Sequence, residues 1–194
     1  MTDIGIDVFN YIFTAILIGV FLAWISLIFS MYKSFTKTPY LDKFENSSNQ
    51  NPKVSIILPA RNEEKFIGKC LESFVNQDYP NYEIMAIDDS SDDKTWEIIE
   101  KYAKKSDKII AVKAETKPDG WMGKNWACME GFKYANGDLL LFTDADTTYS
   151  KKVLSLAVAH LLSEKLDVLT VIPRLLLSLI HISEPTRPRL ISYA

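Results

Sequence analysis

"VSIILPARNEEKFIGKCLESFVNQ", Val54 to Gln77, decides the fold. Val54 to Leu58 form a short, nearly continuous apolar run, as in a strand buried on both faces. The polar "PARNEE" interrupts the run. Phe66, Ile67, Cys70, Leu71, Phe74 and Val75 then recur on one helical face. A strand, a polar loop and an amphipathic helix in that order begin a βαβ unit.

Outward from this stretch the alternation repeats. "YEIMAI" (Tyr82 to Ile87) reads as a second strand, and "DKTWEIIEKYAKK" as a helix carrying Trp96, Ile99 and Tyr102. "IIAV" (Ile109 to Val112) is a third strand. "KNWACMEGFKYANG" is a third helix, whose Asn136-Gly137 suits a C-cap. "LLLFT" (Leu139 to Thr143) is a fourth strand, "KKVLSLAVAHLLSEK" a fourth helix and "DVLTVI" (Asp167 to Ile172) a fifth strand. The fold class is therefore α/β: a doubly wound, Rossmann-like, mainly parallel sheet with helices on both faces. Ligands of such sheets bind beyond the carboxyl ends of the strands. "PARNEE", "DDSSDDKT" and "TDADTTY" all fall at strand carboxyl ends, so the polar clusters converge on one edge.

Before this segment, "VFNYIFTAILIGVFLAWISLIFSMY" (Val8 to Tyr32) contains no charged residue. It is long enough to cross a hydrocarbon core as a helix. A signal peptide fits worse, because a positive n-region is missing and the run is too long. Asp3 and Asp7 precede it, and Lys33, Lys37 and Lys43 follow. The positive-inside bias places the rest of the chain in the cytoplasm, anchored to the cell membrane. Residues 1–7 are then an N-terminal tail, and 33–52, with the polar "ENSSNQNP", a linker.

At the other end, "LSLIHISEPTR" (Leu177 to Arg187) resembles the translation of a transposase-type sequencing adapter. "ISYA" (Ile191 to Ala194) matches that adapter's next fixed segment, with "PRL" where an index would fall. Residues 177–194 are accordingly expected to be adapter read-through rather than native sequence, leaving 53–176 as the soluble segment of a truncated chain.

Bulk properties exclude little but are useful. A formal net charge of −3 leaves no basic stripe, so nucleic acid is not an expected partner. Cys70 and Cys128 form no CxxC pair and sit on helical apolar spacing, which suits free, buried thiols in a reducing compartment.

Three motifs carry the chemistry. In "IDDSSDDKT" (Ile87 to Thr95), Ser91 or Asp92 can cap the following helix, while Asp88 and Asp89 lie at a strand end where burial makes charge costly. A calcium loop from Asp89 fails, because Lys94 stands where glycine is needed. A carboxylate so placed can accept hydrogen bonds from a nucleobase or ribose. "KPDGWMGKNWA" (Lys117 to Ala127) offers flexible backbone, the point charge of Lys124 and a helix start, the elements of an anion site. It lacks P-loop spacing. In "TDADTTY", Asp144 and Asp146 repel one another unless neutralised. A surface turn tolerates them, whereas Mg²⁺ would take one or two carboxylates and fill its other positions with phosphate oxygens and water.

The ordered set "PARNEE", "DDSSDDKT", "GWMGKNWA" and "TDAD" resembles the family 2 glycosyltransferases of the GT-A fold, over Lys53 to Leu176. "GWMGKNWA" is most similar to the membrane-bound branch with hopanoid- and carotenoid-associated glycosyltransferases. The resemblance implies that Pro59, Ala60, Arg61 and Glu63 line a nucleotide-sugar site. It implies that Asp89 pairs with the base, that Asp88 supports that loop and that Lys124 meets the base or diphosphate. Asp144 would face the ribose or sugar. Asp146, with Asp144 beside it, would hold a divalent metal, Mg²⁺ or Mn²⁺, through which the diphosphate is bound. The implied reaction moves a sugar from a nucleotide-diphosphate donor, a UDP-sugar being favoured, to an acceptor hydroxyl, usually with inversion. With the anchor, the resemblance implies a lipid or polyisoprenoid acceptor. The family's acceptor-deprotonating carboxylate lies after the region seen here, so the chain is expected to bind donor weakly without turnover. His160, mid-helix, is expected to pack rather than react.

Two other readings stay open. A sugar nucleotidyltransferase would carry a glycine-rich GxGxR-type loop after the first strand, and "PARNEE" has no glycine. A non-catalytic membrane-anchored nucleotide-binding module would have no need of the paired acids.

Overall fold

The computed structural model describes residues 2–37, 41–44, 51–171 and 190–191. Four strands form its main sheet: β1 (Val54–Ala60), β2 (Tyr82–Asp88), β3 (Ile109–Lys113) and β4 (Leu139–Phe142). The order is β3-β2-β1-β4 and every pairing is parallel, with Ile56 opposite Ile84 on one side and Leu141 on the other. The chain winds outward from β1 to β3, then returns to place β4 on the far side of β1. The direction of winding therefore reverses between β1 and β4, which is where an open parallel sheet leaves a crevice for ligand.

Helices cover both faces, as the alternation required. On one face α2 (Ile67–Val75), α3 (Thr95–Ala103) and α5 (Val153–Ser163) pack over Ile56, Leu58, Ile84 and Ala86. On the other, α4 (Gly123–Phe132) sets Ala127 against Ile57, Met85, Ile87 and Val112. Gly131 permits this approach: a Cβ there would stand 2.5 Å from Ile87 Cδ1. The continuous apolar runs of β1 and β2 are thus explained, since nearly every residue of both strands is buried.

The N-terminal helix α1 spans Thr2–Lys37, and its stretch Val8–Ser34 is long and apolar enough to cross a membrane by length and composition. A short 3₁₀ turn, Leu41–Phe44, follows, and its buried Leu41 belongs to a segment packed against α5. Residues 38–40 and 45–50 of the expected linker lie outside the described residues.

Three expectations need correction. Asn136-Gly137 does not cap α4, which ends at Phe132 with Lys133 as its C-cap. The pair instead anchors the α4–β4 connection: Asn136 N–H donates to Glu83 Oε1 (2.8 Å) and Gly137 N–H to Ser55 Oγ (2.8 Å). "LLLFT", whose apolar run reads like a buried strand, forms β4 only over Leu139–Phe142, an edge strand with Leu140 and Phe142 exposed. Asp167 to Ile172 does not add a fifth parallel strand. Only β5 (Thr170–Val171) is extended, paired antiparallel with β6 (Leu190–Ile191) outside the main sheet, while Val168 is exposed and Ile172 lies outside the described residues. Two residues of the adapter-like segment thus take part in pairing.

Candidate functional site

The carboxyl ends of β1 and β4 and the start of α4 enclose a cleft of about 420 Å³. Pro59, Ala60, Arg61, Glu63, Asp89, Lys124, Asp144 and Asp146, all singled out from the sequence, line it. Gly123, Ala127 and Ala145 line it too and were missed, because small residues carry no chemical signature until a neighbour's position is known.

Asp88 is the exception among the expected residues. It ends β2, is buried and does not line the cleft. Among the described residues its Oδ1 has no hydrogen-bond partner. Its backbone supports the site: Asp88 O accepts the N–H of Ala114 (3.0 Å), and the N–H of Asp89 donates to Ala60 O (2.9 Å).

Asp89 is also buried, and its carboxylate approaches Arg61 Nη1 at 3.8 Å. Gly123 matters here, since a Cβ on it would stand 2.9 Å from Asp89 Oδ2. The absence of a side chain lets the start of α4 close over Asp89. Helix α4 presents its amino end, with Lys124 in its first turn, to the cleft, the arrangement in which free N–H groups favour an anion.

The paired acids lie beyond the end of β4, where the chain enters a turn and burial alternates from residue to residue. Thr143 and Ala145 turn inward and are buried, while Asp144 and Asp146 project outward into the cleft. The segment is pinned from below by α2: Cys70 Sγ contacts Asp144 O at 3.7 Å, Ser73 Oγ accepts the N–H of Tyr149 (3.1 Å), and the Tyr149 ring stacks on Phe74 at 4.4 Å. Both carboxylates are exposed, so solvent lowers their mutual repulsion more than the sequence suggested. Lys124 Nζ pairs with Asp144 Oδ1, which neutralises one of the two and holds the Lys124 ammonium above its ordinary pKa. Among the described residues, Asp146 Oδ1 accepts from the Thr147 hydroxyl at 3.3 Å.

The cleft is acidic in consequence. Glu63 is raised above the usual carboxylate range by burial, and then by the charges of Asp146, Asp93 and Asp144. Burial, followed by Asp146 and Asp144, pushes the Cys70 thiol up to about 12.

The expected side-chain helix cap is not formed, since the N-cap position of α3 is Lys94. Neither Ser91 nor Asp92 caps α3; Asp93 Oδ1 accepts the N–H of Thr95 at 2.9 Å. His160 is buried in α5, in keeping with a packing role, and burial lowers its pKa. Cys70 is buried and Cys128 half-buried, both as free thiols.

Among the described residues no group of three or more His, Cys, Asp or Glu side chains is arranged to hold a metal by protein ligands alone. The donor set fits a hard divalent cation of another kind, one bound by a carboxylate or two and completed by phosphate oxygens and water. Asp146 offers such a carboxylate, and Asp144 offers a second when Lys124 releases it.

A parallel α/β sheet with an anion-ready helix terminus, a buried carboxylate beside an arginine and paired acids at its switch point defines a nucleotide-binding enzyme fold. The sequence profile of glycosyl transferase family 2 matches residues 55–176, and the chain belongs to that family. A probable glycosyltransferase, YdaM, of Bacillus subtilis (strain 168) is 31% identical over 163 residues, 78% of this chain and 38% of that protein. The 4,4'-diaponeurosporenoate glycosyltransferase of Staphylococcus haemolyticus (strain JCSC1435) is 38% identical over 54% of this chain and 26% of its own length. The chain thus spans well under half of these relatives. Among solved structures, S. aureus TarS 1-349 in complex with UDP-GlcNAc superposes with a TM-score of 0.51 at 32% identity, over 61% of this chain and 33% of that 1-349 chain. The Pyrobaculum calidifontis mannosyltransferase PcManGT, in complex with GDP-Man and Mn²⁺, gives a TM-score of 0.54 at 26% identity, over 70% of this chain and 39% of its own. The fold is the GT-A fold expected from the motifs.

Proposed function

We propose that residues 53–176 form the nucleotide-sugar-binding part of a glycosyltransferase, tethered to the cell membrane by Val8–Tyr32 with the soluble part on the cytoplasmic side. One observation carries this reading: residues from three separate strand ends and the start of α4 line a single cleft at the switch point of the sheet. Asp89, held beside Arg61, is suited to accept hydrogen bonds from the base. Lys124 and the amino end of α4 are suited to the diphosphate, while Asp144 faces the ribose or sugar. Asp146, with Asp144, would hold Mg²⁺ or Mn²⁺, which when bound would supply Lewis-acid neutralisation of charge on the departing diphosphate. The TarS and PcManGT complexes support a sugar nucleotide as ligand and, in the second case, Mn²⁺ beside it. UDP is the favoured nucleotide. The membrane-spanning candidate and the carotenoid-linked relative support a lipid or polyisoprenoid acceptor. No residue of this chain is assigned as acceptor base, so donor binding is expected rather than sugar transfer.

Calorimetry on the full chain in detergent tests this. UDP should bind wild type in the presence of Mn²⁺ and at least tenfold more weakly without it. Asp146→Ala should bind with the weaker constant under both conditions. UDP binding indifferent to both metal and substitution would favour a non-catalytic nucleotide-binding module.

A further inference from the structure

The loop after β1 and the loop after β2 are stitched together more densely than any turn geometry demands. Asn62 N–H donates to Ser91 Oγ (3.0 Å), and Asp92 N–H donates to Asn62 Oδ1 (2.9 Å). Glu63 N–H donates to Thr95 Oγ1 (2.8 Å), Glu64 N–H to Asp93 Oδ2 (3.1 Å), and Lys94 N–H to Glu64 Oε2 (3.3 Å). Thr95 is fully buried, and Asp93 Oδ1 fixes it through its N–H. Each loop also contains a residue in the left-handed region: Asn62 and Ser90 both have φ of 56°.

Of the stitched residues, Glu63 lines the cleft and the others touch it through their neighbours. Arg61 precedes Asn62, and Asp89 precedes Ser90 and Ser91, so the brace flanks the Arg61–Asp89 pair on both strands. That pair is loose, at 3.8 Å with the Arg61 side chain 60% exposed, and cannot set its own geometry. Asn62 and Glu64 each accept across the gap while their own N–H donates back, and of the two Asn62 is the one next to Arg61. Asparagine is also among the few residues that adopt the left-handed conformation at low cost.

We propose that Asn62 is a positioning residue, whose reciprocal hydrogen bonds with Ser91 and Asp92 set the register of Arg61 against Asp89 and so govern recognition of the nucleoside half of the donor. The inference rests on the reading of the cleft as a nucleotide-sugar site. It makes a distinction that general loosening would not: the pyrophosphate half, met by Lys124 and the start of α4, does not depend on the brace.

The test is calorimetry on the full chain in detergent with Mn²⁺, using UDP and inorganic pyrophosphate as separate probes. Asn62→Ala and Asn62→Gly should each weaken UDP about tenfold and leave pyrophosphate binding within about twofold. Glycine keeps the backbone conformation and removes only the side-chain acceptor. Asn62→Asp, which retains that acceptor and tolerates the left-handed region, should recover most of the UDP affinity. Wild-type affinity for UDP in Asn62→Gly overturns the inference, as does parallel loss of UDP and pyrophosphate in both variants. Failure of wild type to bind UDP would strike the site reading itself. Weakening by Asp89→Ala with no effect at Asn62 would strike only the positioning role.

Discussion

Thr143 and Ala145 are buried while Asp144 and Asp146 line the cleft, so the turn after β4 brings both acids to the same side. The spacing is what made the motif legible in sequence. What spacing could not convey was the partner, because Lys124 lies 20 positions away and meets Asp144 only once α4 is packed. Glu63 feels both acids and its own burial, and its pKa is raised. A carboxyl group raised in this way costs the folded state nothing below its unfolded pKa. It becomes destabilising as pH climbs through the unfolded and then the folded value. Glu63→Gln should therefore raise Tm relative to wild type at about pH 7 and leave it nearly unchanged at about pH 3.5, as read by scanning calorimetry. Divalent cation at Asp146 would reduce this difference by offsetting the same charges. Beneath the acids, the Cys70 thiol is buried and pushed up to about 12. Iodoacetamide at about pH 8 should alkylate Cys128 in the folded chain well before Cys70, with both reacting in denaturant. Comparable folded-state rates at the two cysteines would show that the α2 contact with the acid segment is wrong.

Elements were easiest to read where both faces are buried. The runs of β1 and β2 gave strands whose bounds agree with the sequence to within a residue or two, and their flanking helices followed from apolar spacing. The apolar run of β4 looked the same but belongs to an edge strand, because hydrophobicity reports which residues avoid water and not which strand lies alongside. The misread Asn136-Gly137 shows a second limit. Its turn chemistry suggested a cap, yet its N–H groups serve Glu83 and Ser55 at the amino ends of β2 and β1. Burial raises the pKa of Glu83, but hydrogen bonds from Lys53, Ser55 and the Asn136 N–H outweigh it and hold the carboxylate below its ordinary range. Lys53 Nζ lies 2.6 Å from Glu83 Oε2, and Ser55 Oγ donates to Oε1 at 2.6 Å. Gly137 is required by close approach, since a Cβ would stand 2.7 Å from Lys53 O and Ser55 N. Gly137→Ala should cost about 2–3 kcal/mol by denaturant titration, as backbone rather than a flexible side chain would have to move. A loss under about 0.5 kcal/mol, the range of ordinary surface substitutions, would show that this connection is not held as described.

Across the whole molecule, the winding reversal between β1 and β4 converts four polar loops, scattered over some 90 residues, into one cleft. That convergence followed from strand-helix alternation alone, because a parallel sheet places every carboxyl end on one edge. The crossing of β4 to the far side of β1 did not, since strand order depends on packing that alternation leaves open. The central claim is that Asp146 and a nucleoside diphosphate share one divalent cation in this cleft. The most direct measurement is the electron paramagnetic resonance signal of free Mn²⁺ titrated with the full chain in detergent, with and without UDP. The account predicts that protein and UDP together deplete the free-Mn²⁺ signal beyond the sum of their separate effects, and that Asp146→Ala abolishes this excess. Depletion that is merely additive, or equal in the variant, would contradict it.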